Sequence, residues 1–205
     1  MTGVRTLLWD ADGVLQHGPI GWNWRRELDR VGGPGFAAAV FEAERPALTG
    51  HERLEDSLAR VVAQFPGVPL SVEDLLGLWE MASVDEQAFA YVTELRGRGI
   101  PCALASNQQD HRRAWMRDEW GYDTHFDHVF YSSELGVAKP DPRFFTTILE
   151  QLEAAPEEVG FIDDSGPNID SARSVGIATY HHLPRSGIAA MRSGVEALLA
   201  GGSTS

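Results

Sequence analysis

Cysteine is almost missing from this chain. Its 205 residues hold one, Cys102, so an intrachain disulfide framework is excluded and packing has to hold the fold. That cysteine lies in the apolar run Ile100-Pro101-Cys102-Ala103-Leu104-Ala105 and reads as a small buried hydrophobe. Positive charge is scarce as well. Lysine and arginine total 17 against 30 aspartates and glutamates, a formal net charge of −13, which leaves no basic face for nucleic acid. The same balance gives an anionic substrate no long-range attraction, so a phosphate has to be captured by local groups. No apolar run approaches the roughly 20 residues that span a bilayer, and residues 1–10 show no signal-peptide pattern. The expectation is a cytoplasmic chain with neither a membrane nor a nucleic-acid partner. What is present is ordinary: 43% hydrophobic and 23% charged residues suit a globular protein with one substantial core, or a core and a smaller insertion.

The chain is organised around Thr6-Leu7-Leu8-Trp9-Asp10-Ala11-Asp12-Gly13-Val14-Leu15. An apolar run ends in two carboxylates and a glycine, the pattern of a buried strand with a loop at its carboxyl end, where open α/β sheets place ligands. Side chains two apart on an extended segment point the same way, so Asp10 and Asp12 are placed to share a pocket. Gly13 lets the backbone turn tightly and come close to a ligand. Taken alone, the stretch also describes an Asp-Gly turn capping a strand.

Residues 17–82 read as helical. Leu54, Leu58, Val61, Val62 and Phe65 keep helical spacing, as do Val72, Leu75, Leu76 and Trp79 after a Ser71 cap with Asp74. Residues 20–31 and 35–45 are helix-like with less clean faces, and Trp22, Trp24 and Trp79 are expected in the core of this module. From Ser83 the pattern alternates. Ser83 and Glu86 form a capping box for a helix that stops at Gly97 and Gly99. Strands are expected at 100–105, 128–132, 159–162 and 177–180, with helices at 110–120, from Asp141-Pro142 onward, around Ile169 and Ala172, and at 186–199 before a frayed glycine-serine tail. Strands separated by single helices imply a parallel sheet with right-handed crossovers. The fold class is therefore α/β: a Rossmann-like three-layer core with a central parallel sheet, formed by residues 1–15 and 85–205, plus a small α-helical domain at 16–84.

Polar residues fall where the strands end: Asp10 and Asp12, Ser106 and Asn107, Asp163 and Asp164, with Lys139-Pro140 in the loop after the strand at 128–132. In a parallel sheet these ends share one edge, so segments distant in sequence converge. Carboxylates gathered there repel unless a cation intervenes, and oxygen ligands beside a phosphate-sized substrate point to Mg²⁺. A hydroxyl, an amide and a lysine suit a phosphate oxyanion. Individually, Lys139 also reads as a solvated surface lysine, Ser106 as a plain helix N-cap and Asp163 as a turn residue.

At these residues the chain resembles the haloacid dehalogenase-like superfamily of phosphohydrolases. The superfamily's DxDG[VT]L motif is matched by Asp10-Ala11-Asp12-Gly13-Val14-Leu15, its Ser/Thr strand end by Ser106 and Asn107, its lysine motif by Lys139-Pro140-Asp141-Pro142, and its acidic pair by Asp163-Asp164-Ser165-Gly166-Pro167-Asn168. The resemblance implies that the insertion is a helical cap. It further implies an aspartyl-phosphate mechanism with Asp10 as nucleophile and Asp12 as general acid and base. Mg²⁺ would be held by the side chains of Asp10 and Asp164 and the backbone carbonyl of Asp12. Gly13, Ser106, Asn107 and Lys139 would surround the phosphoryl group of a small phosphorylated metabolite. Asp163 and Asn168 would stand one layer back, Asn168 ordering Asp164 or a metal-bound water in place of the second Asp that many relatives carry.

Within that resemblance, a dehalogenase lacks the acid at the position of Asp12, and a phosphonate hydrolase needs a cap lysine, whereas residues 17–82 contain none. A phosphomutase of the β-phosphoglucomutase type shares the same core residues and needs basic cap contacts for a second phosphate; Arg25, Arg26, Arg45, Arg53 and Arg60 are available. Outside it, a phospho-acceptor receiver domain would carry its acidic pair on the first strand, and a silent binding protein would not need every catalytic position filled.

Overall fold

The computed structural model describes residues 3–183 and 185–201; most of the glycine-serine tail expected to fray lies outside them. β1 (Thr6–Trp9) is followed by the two-residue strand β2 (Gln16–His17), then α1 (Trp24–Gly32), α2 (Phe36–Leu48), α3 (Leu54–Gln64), α4 (Val72–Leu76), a 3-10 turn and the two-residue strand β3 (Ser83–Val84). Helix and strand then alternate through α5 (Glu86–Gly97), β4 (Cys102–Ser106), α6 (Asp110–Trp120), the short α7 (Tyr122–His125) and β5 (His128–Tyr131). The short α8 (Ser132–Leu135), α9 (Pro142–Leu152), β6 (Val159–Asp163), α10 (Gly166–Ser174), β7 (Ala178–His181) and α11 (Gly187–Leu199) complete the chain.

The main sheet is parallel with strand order β5-β4-β1-β6-β7. Its strands are continuous apolar runs because helices cover both faces. Alternation along β1 sends Leu7 and Trp9 to one side, where they meet Tyr91, Leu95, Met191 and Val195 of α5 and α11. Leu8 goes to the other, against Phe144, Phe145, Ile148 and Ile169 of α9 and α10. Each such buried side chain contributes about 1.5–3 kcal/mol, so the strand is fixed from both layers. The helices between residues 24 and 80 enclose a separate core of Leu28, Phe36, Val40, Leu54, Leu58 and Leu75, joined to the sheet domain through the antiparallel pair β2 and β3. Among the described residues no helix is long and apolar enough to cross a membrane.

Several local expectations are corrected. Ser83 does not cap α5, because it pairs with His17 in the β2–β3 ribbon; Asp85 takes the cap, accepting from the backbone N–H groups of Gln87 and Ala88. Ser132 opens α8 instead of closing a strand. Trp22 is 48% exposed and stacks edge-on against Trp24, outside the module's core, whereas Trp79 is buried there. The Ser71–Asp74 capping box and the Asp141-Pro142 helix start are present as expected.

Candidate active site

β1 lies at the centre of the sheet, with β4 on one side and β6 on the other. The chain therefore reverses its winding direction at β1, and the crevice at that switch point opens beside the carboxyl end of β1. Asp10 follows directly, its backbone N–H bonded to the Ile162 carbonyl at 3.0 Å. The loop then folds over itself: the Ala11 carbonyl accepts from the N–H groups of Val14, Leu15 and Gln16.

Lys139 is the only lysine in the chain and is buried among carboxylates. Its Nζ lies 2.8 Å from Asp10 Oδ1 and 2.7 Å from Asp163 Oδ2. Burial opposes its charge, but the two carboxylates outweigh that and hold the ammonium above its ordinary range. Burial likewise raises the Asp10 carboxyl, against the pull of Lys139 and with the push of Asp163. Asn107 bonds the Lys139 main chain in both directions, donating to its carbonyl at 2.8 Å and accepting from its N–H at 2.9 Å. The side chain of Asn107 thus clamps the lysine loop to the end of β4. Ser106 is buried at that strand end, where its Oγ accepts from Gln108 Nε2 at 3.3 Å.

Carboxylate oxygens of Asp10, Asp163 and Asp164 all lie within 4.8 Å of one another, the only such group of possible metal ligands among the described residues. Asp163 is the most heavily bonded of the three. It accepts from Lys139 Nζ, from the Ser165 N–H at 2.7 Å and from Asn168 Nδ2 at 3.1 and 3.0 Å. Asn168 therefore bonds Asp163, whereas the sequence resemblance implies that it orders Asp164 or a metal-bound water. Asp164 is raised by burial and by the neighbouring Asp163 charge, which marks a carboxylate short of positive company. Gly13 explains how it fits: at φ +81°, a Cβ on Gly13 would stand 2.1 Å from Asp164 Oδ2. Glycine is needed there to admit the carboxylate, a closer constraint than the tight turn alone. An all-oxygen donor set with a local excess of negative charge matches a hard divalent cation.

Asp12 has its own set of partners, while its charge still bears on Asp10 and Asp164. Its Oδ1 accepts from Gln16 Nε2 and Arg112 Nη2, both at 2.9 Å, and its Oδ2 from Gln108 Nε2 at 2.7 Å. Gln16 is itself fixed by the buried Tyr122 hydroxyl, which donates to its Oε1 at 2.8 Å. None of Gln16, Gln108, Arg112 or Tyr122 stood out in the sequence. The available signal was position: Gln108 lies two residues past Ser106, and Arg112 lies in the first turn of the helix that follows. Asp12 and Arg112 also line a cavity of about 340 Å³ between the sheet domain and the helical module, with Glu44 of α2 opposite. Burial pushes Glu44 up to about 7, with Asp12 adding to the effect and Trp79 and Arg112 opposing it.

A family model for haloacid dehalogenase-like hydrolases matches residues 4–176. Bifunctional epoxide hydrolase 2 of Sus scrofa is 44% identical over 204 residues, covering 86% of this chain and 36% of its own. A phosphoserine phosphatase of Thermus thermophilus is 34% identical over 92 residues, covering 44% of this chain and 37% of its own. The chain thus spans little more than a third of either relative. Among solved structures, a HAD family enzyme of Bacteroides thetaiotaomicron in complex with magnesium and inorganic phosphate superposes with a TM-score of 0.79 at 20% identity, covering 92% of this chain and 99% of that one. With four motifs in order along the sheet's carboxyl edge and a family model matching most of its length, the chain belongs to the haloacid dehalogenase-like hydrolases.

Proposed function

We propose that this protein is a Mg²⁺-dependent phosphatase that cleaves small phosphate monoesters through an aspartyl-phosphate on Asp10. The observation that carries the proposal is the grouping of Asp10 with Lys139 and the Asp163–Asp164 pair at the carboxyl end of β1, with Asp12, two residues on, fixed by three separate donors. The similarity to a phosphoserine phosphatase and to a fold neighbour holding magnesium and phosphate supports the same reading.

The side chains of Asp10 and Asp164 and the backbone carbonyl of Asp12 would hold the metal; Asp163 is committed to Lys139 and Asn168. Bound there, Mg²⁺ supplies positive charge that offsets the phosphoryl oxygens and favours ionised Asp10. The Asp10 carboxylate attacks phosphorus, and the bond from phosphorus to the leaving oxygen breaks as Asp12 gives that oxygen a proton. Asp12 then takes a proton from water, which attacks the acyl phosphate, breaks the bond from phosphorus to Asp10 and frees inorganic phosphate. Lys139 orients Asp10 and offsets charge, Ser106 offers a hydroxyl to a phosphoryl oxygen, and Asn107 keeps the lysine loop in place. Residues 16–84 act as the cap over the catalytic core of 1–15 and 85–205.

Hydrolysis is favoured over a phosphomutase reaction by where the module's arginines go. Arg26 pairs with Glu27, Arg45 with Glu42, Arg53 with Glu55 and Asp110, and Arg60 with Glu52, while Arg25 lies over the Phe41 ring. None of the five lines the cavity that faces Asp12. The test is release of inorganic phosphate from p-nitrophenyl phosphate. Turnover should require Mg²⁺, stop with chelator and vanish in Asp10→Asn, because an amide does not attack phosphorus. Wild-type turnover in that variant would refute the assignment of Asp10.

A further inference from the structure

The cavity between module and core has a definite charge pattern. Asp12 and Glu44 face it as two carboxylates, and Arg112 is the one basic residue in its lining. Arg112 is committed to Asp12 through Nη2, its side chain is 9% exposed, and its buried Nε has no hydrogen-bond partner. The lining is thus short of positive charge. Beyond these groups the wall turns apolar. Trp24, Leu78 and Trp79 line both this cavity and an adjoining one of about 100 Å³ that Phe41 closes.

From this arrangement we propose that the enzyme selects monophosphates of neutral alcohols with an apolar carbon body, and that Glu44 is the residue that rejects leaving groups carrying a negative charge. The proposal rests on the phosphatase reading above and specifies its substrate class. Asp12 has to meet the leaving oxygen, so the carbon skeleton attached to that oxygen occupies the cavity Asp12 lines. A carboxylate or second phosphate on that skeleton would be brought against Glu44 with only the already engaged Arg112 to receive it. A hydroxyl or ester oxygen, by contrast, brings no buried charge in need of a partner. Glu44 suits a neutral neighbour in a second way: a carboxyl raised to about 7 both donates and accepts near neutral pH, as a hydroxyl does. The aromatic wall then favours carbon over further polar groups.

The experiment compares glycerol 3-phosphate with 3-phosphoglycerate, which differ by a carboxylate in place of a hydroxymethyl group, together with n-hexyl phosphate and p-nitrophenyl phosphate. All are assayed with Mg²⁺ at pH 8, above the Glu44 midpoint. The wild-type enzyme should prefer glycerol 3-phosphate over 3-phosphoglycerate in kcat/KM by about tenfold or more, the scale on which one neighbouring charge biases an equilibrium. n-Hexyl phosphate should show a lower KM than glycerol 3-phosphate. Glu44→Gln should lower the preference between the matched pair by about tenfold, and Glu44→Asp should keep it. The wild-type comparison decides the charge rule even if a variant fails to fold. Equal use of the matched pair by the wild-type enzyme overturns the proposal, and an undiminished preference in a folded Glu44→Gln overturns the role of Glu44. Turnover of p-nitrophenyl phosphate without charge discrimination sinks this inference alone. Absence of turnover on every phosphate, the aryl ester included, sinks the phosphatase reading and this inference with it.

Discussion

Lys139 reaches the site from a loop, is almost fully buried, and finds Asp10 at 2.8 Å and Asp163 at 2.7 Å. Removing one partner from a buried ion pair costs far more than the pair contributes, because the charge left behind has no solvent. Lys139→Met should therefore destabilise the protein by about 3–5 kcal/mol, read from urea unfolding in the absence of metal. A loss below about 1 kcal/mol would show that the lysine is solvated and exchangeable, as a surface pair is. Asp12 makes a different prediction because its role is proton transfer. An alkyl phosphate leaves as a basic alkoxide and needs that proton, whereas nitrophenolate barely does. Asp12→Asn should lose about 10²–10⁴-fold on an alkyl phosphate. The pre-steady-state burst of nitrophenolate should be affected much less. Equal slowing of the first step on both substrates would mean that Asp12 acts through local geometry instead.

At the scale of elements, the first turn of α6 connects the helical module to the chemistry. Asp110 accepts from the Leu54 N–H at 3.0 Å, at the start of α3, and pairs with Arg53. His111 lies 2.9 Å from Glu80, and the next residue, Arg112, holds Asp12. The contact is close on the other side too: at Gly50, φ +68°, a Cβ would stand 2.2 Å from the Ser133 carbonyl oxygen. Three successive residues of one helical turn thus bind the module and position the acid. Asp110→Ala removes a charge-assisted bond worth about 1.5–3 kcal/mol at the module boundary. It should speed amide exchange at the start of α3 and raise KM for an alkyl phosphate several-fold. Unchanged exchange and KM would show that the module is held elsewhere. This turn also shows where sequence reading stops. The strands were legible because β1, β4 and β6 are continuous apolar runs ending in carboxylates or hydroxyls. The clamps were not: Gln16, Gln108 and Arg112 are ordinary surface residue types whose burial depends on partners about a hundred positions away, Tyr122 for Gln16 and Asp12 for the other two. Ser83 misled for a related reason, since a local capping signal lost to a strand pairing with His17.

At the scale of the whole molecule, a strongly acidic chain places its one lysine and one buried arginine at the same sheet edge. The parallel topology makes this possible: residues 10, 106, 139 and 164 come from four segments that meet only because β1 is flanked by β4 and β6. The order of motifs along the chain made this convergence legible in advance. The pocket that chooses the substrate was not, because Glu44 and Trp79 sit on helices whose sequence shows an apolar face but not what that face encloses. The central claim is that a phosphoryl group passes through Asp10, and trapping it is the most direct measurement. Asp12→Asn, which slows hydrolysis of the intermediate more than its formation from an aryl ester, is mixed with p-nitrophenyl phosphate and Mg²⁺, quenched in acid and digested for mass spectrometry. The expected result is one phosphoryl group on the peptide containing Asp10, present with Mg²⁺ and absent with chelator or in the Asp10→Asn, Asp12→Asn double variant. Turnover accompanied by a phosphoryl group on another residue, or by the same adduct in the double variant, would contradict it.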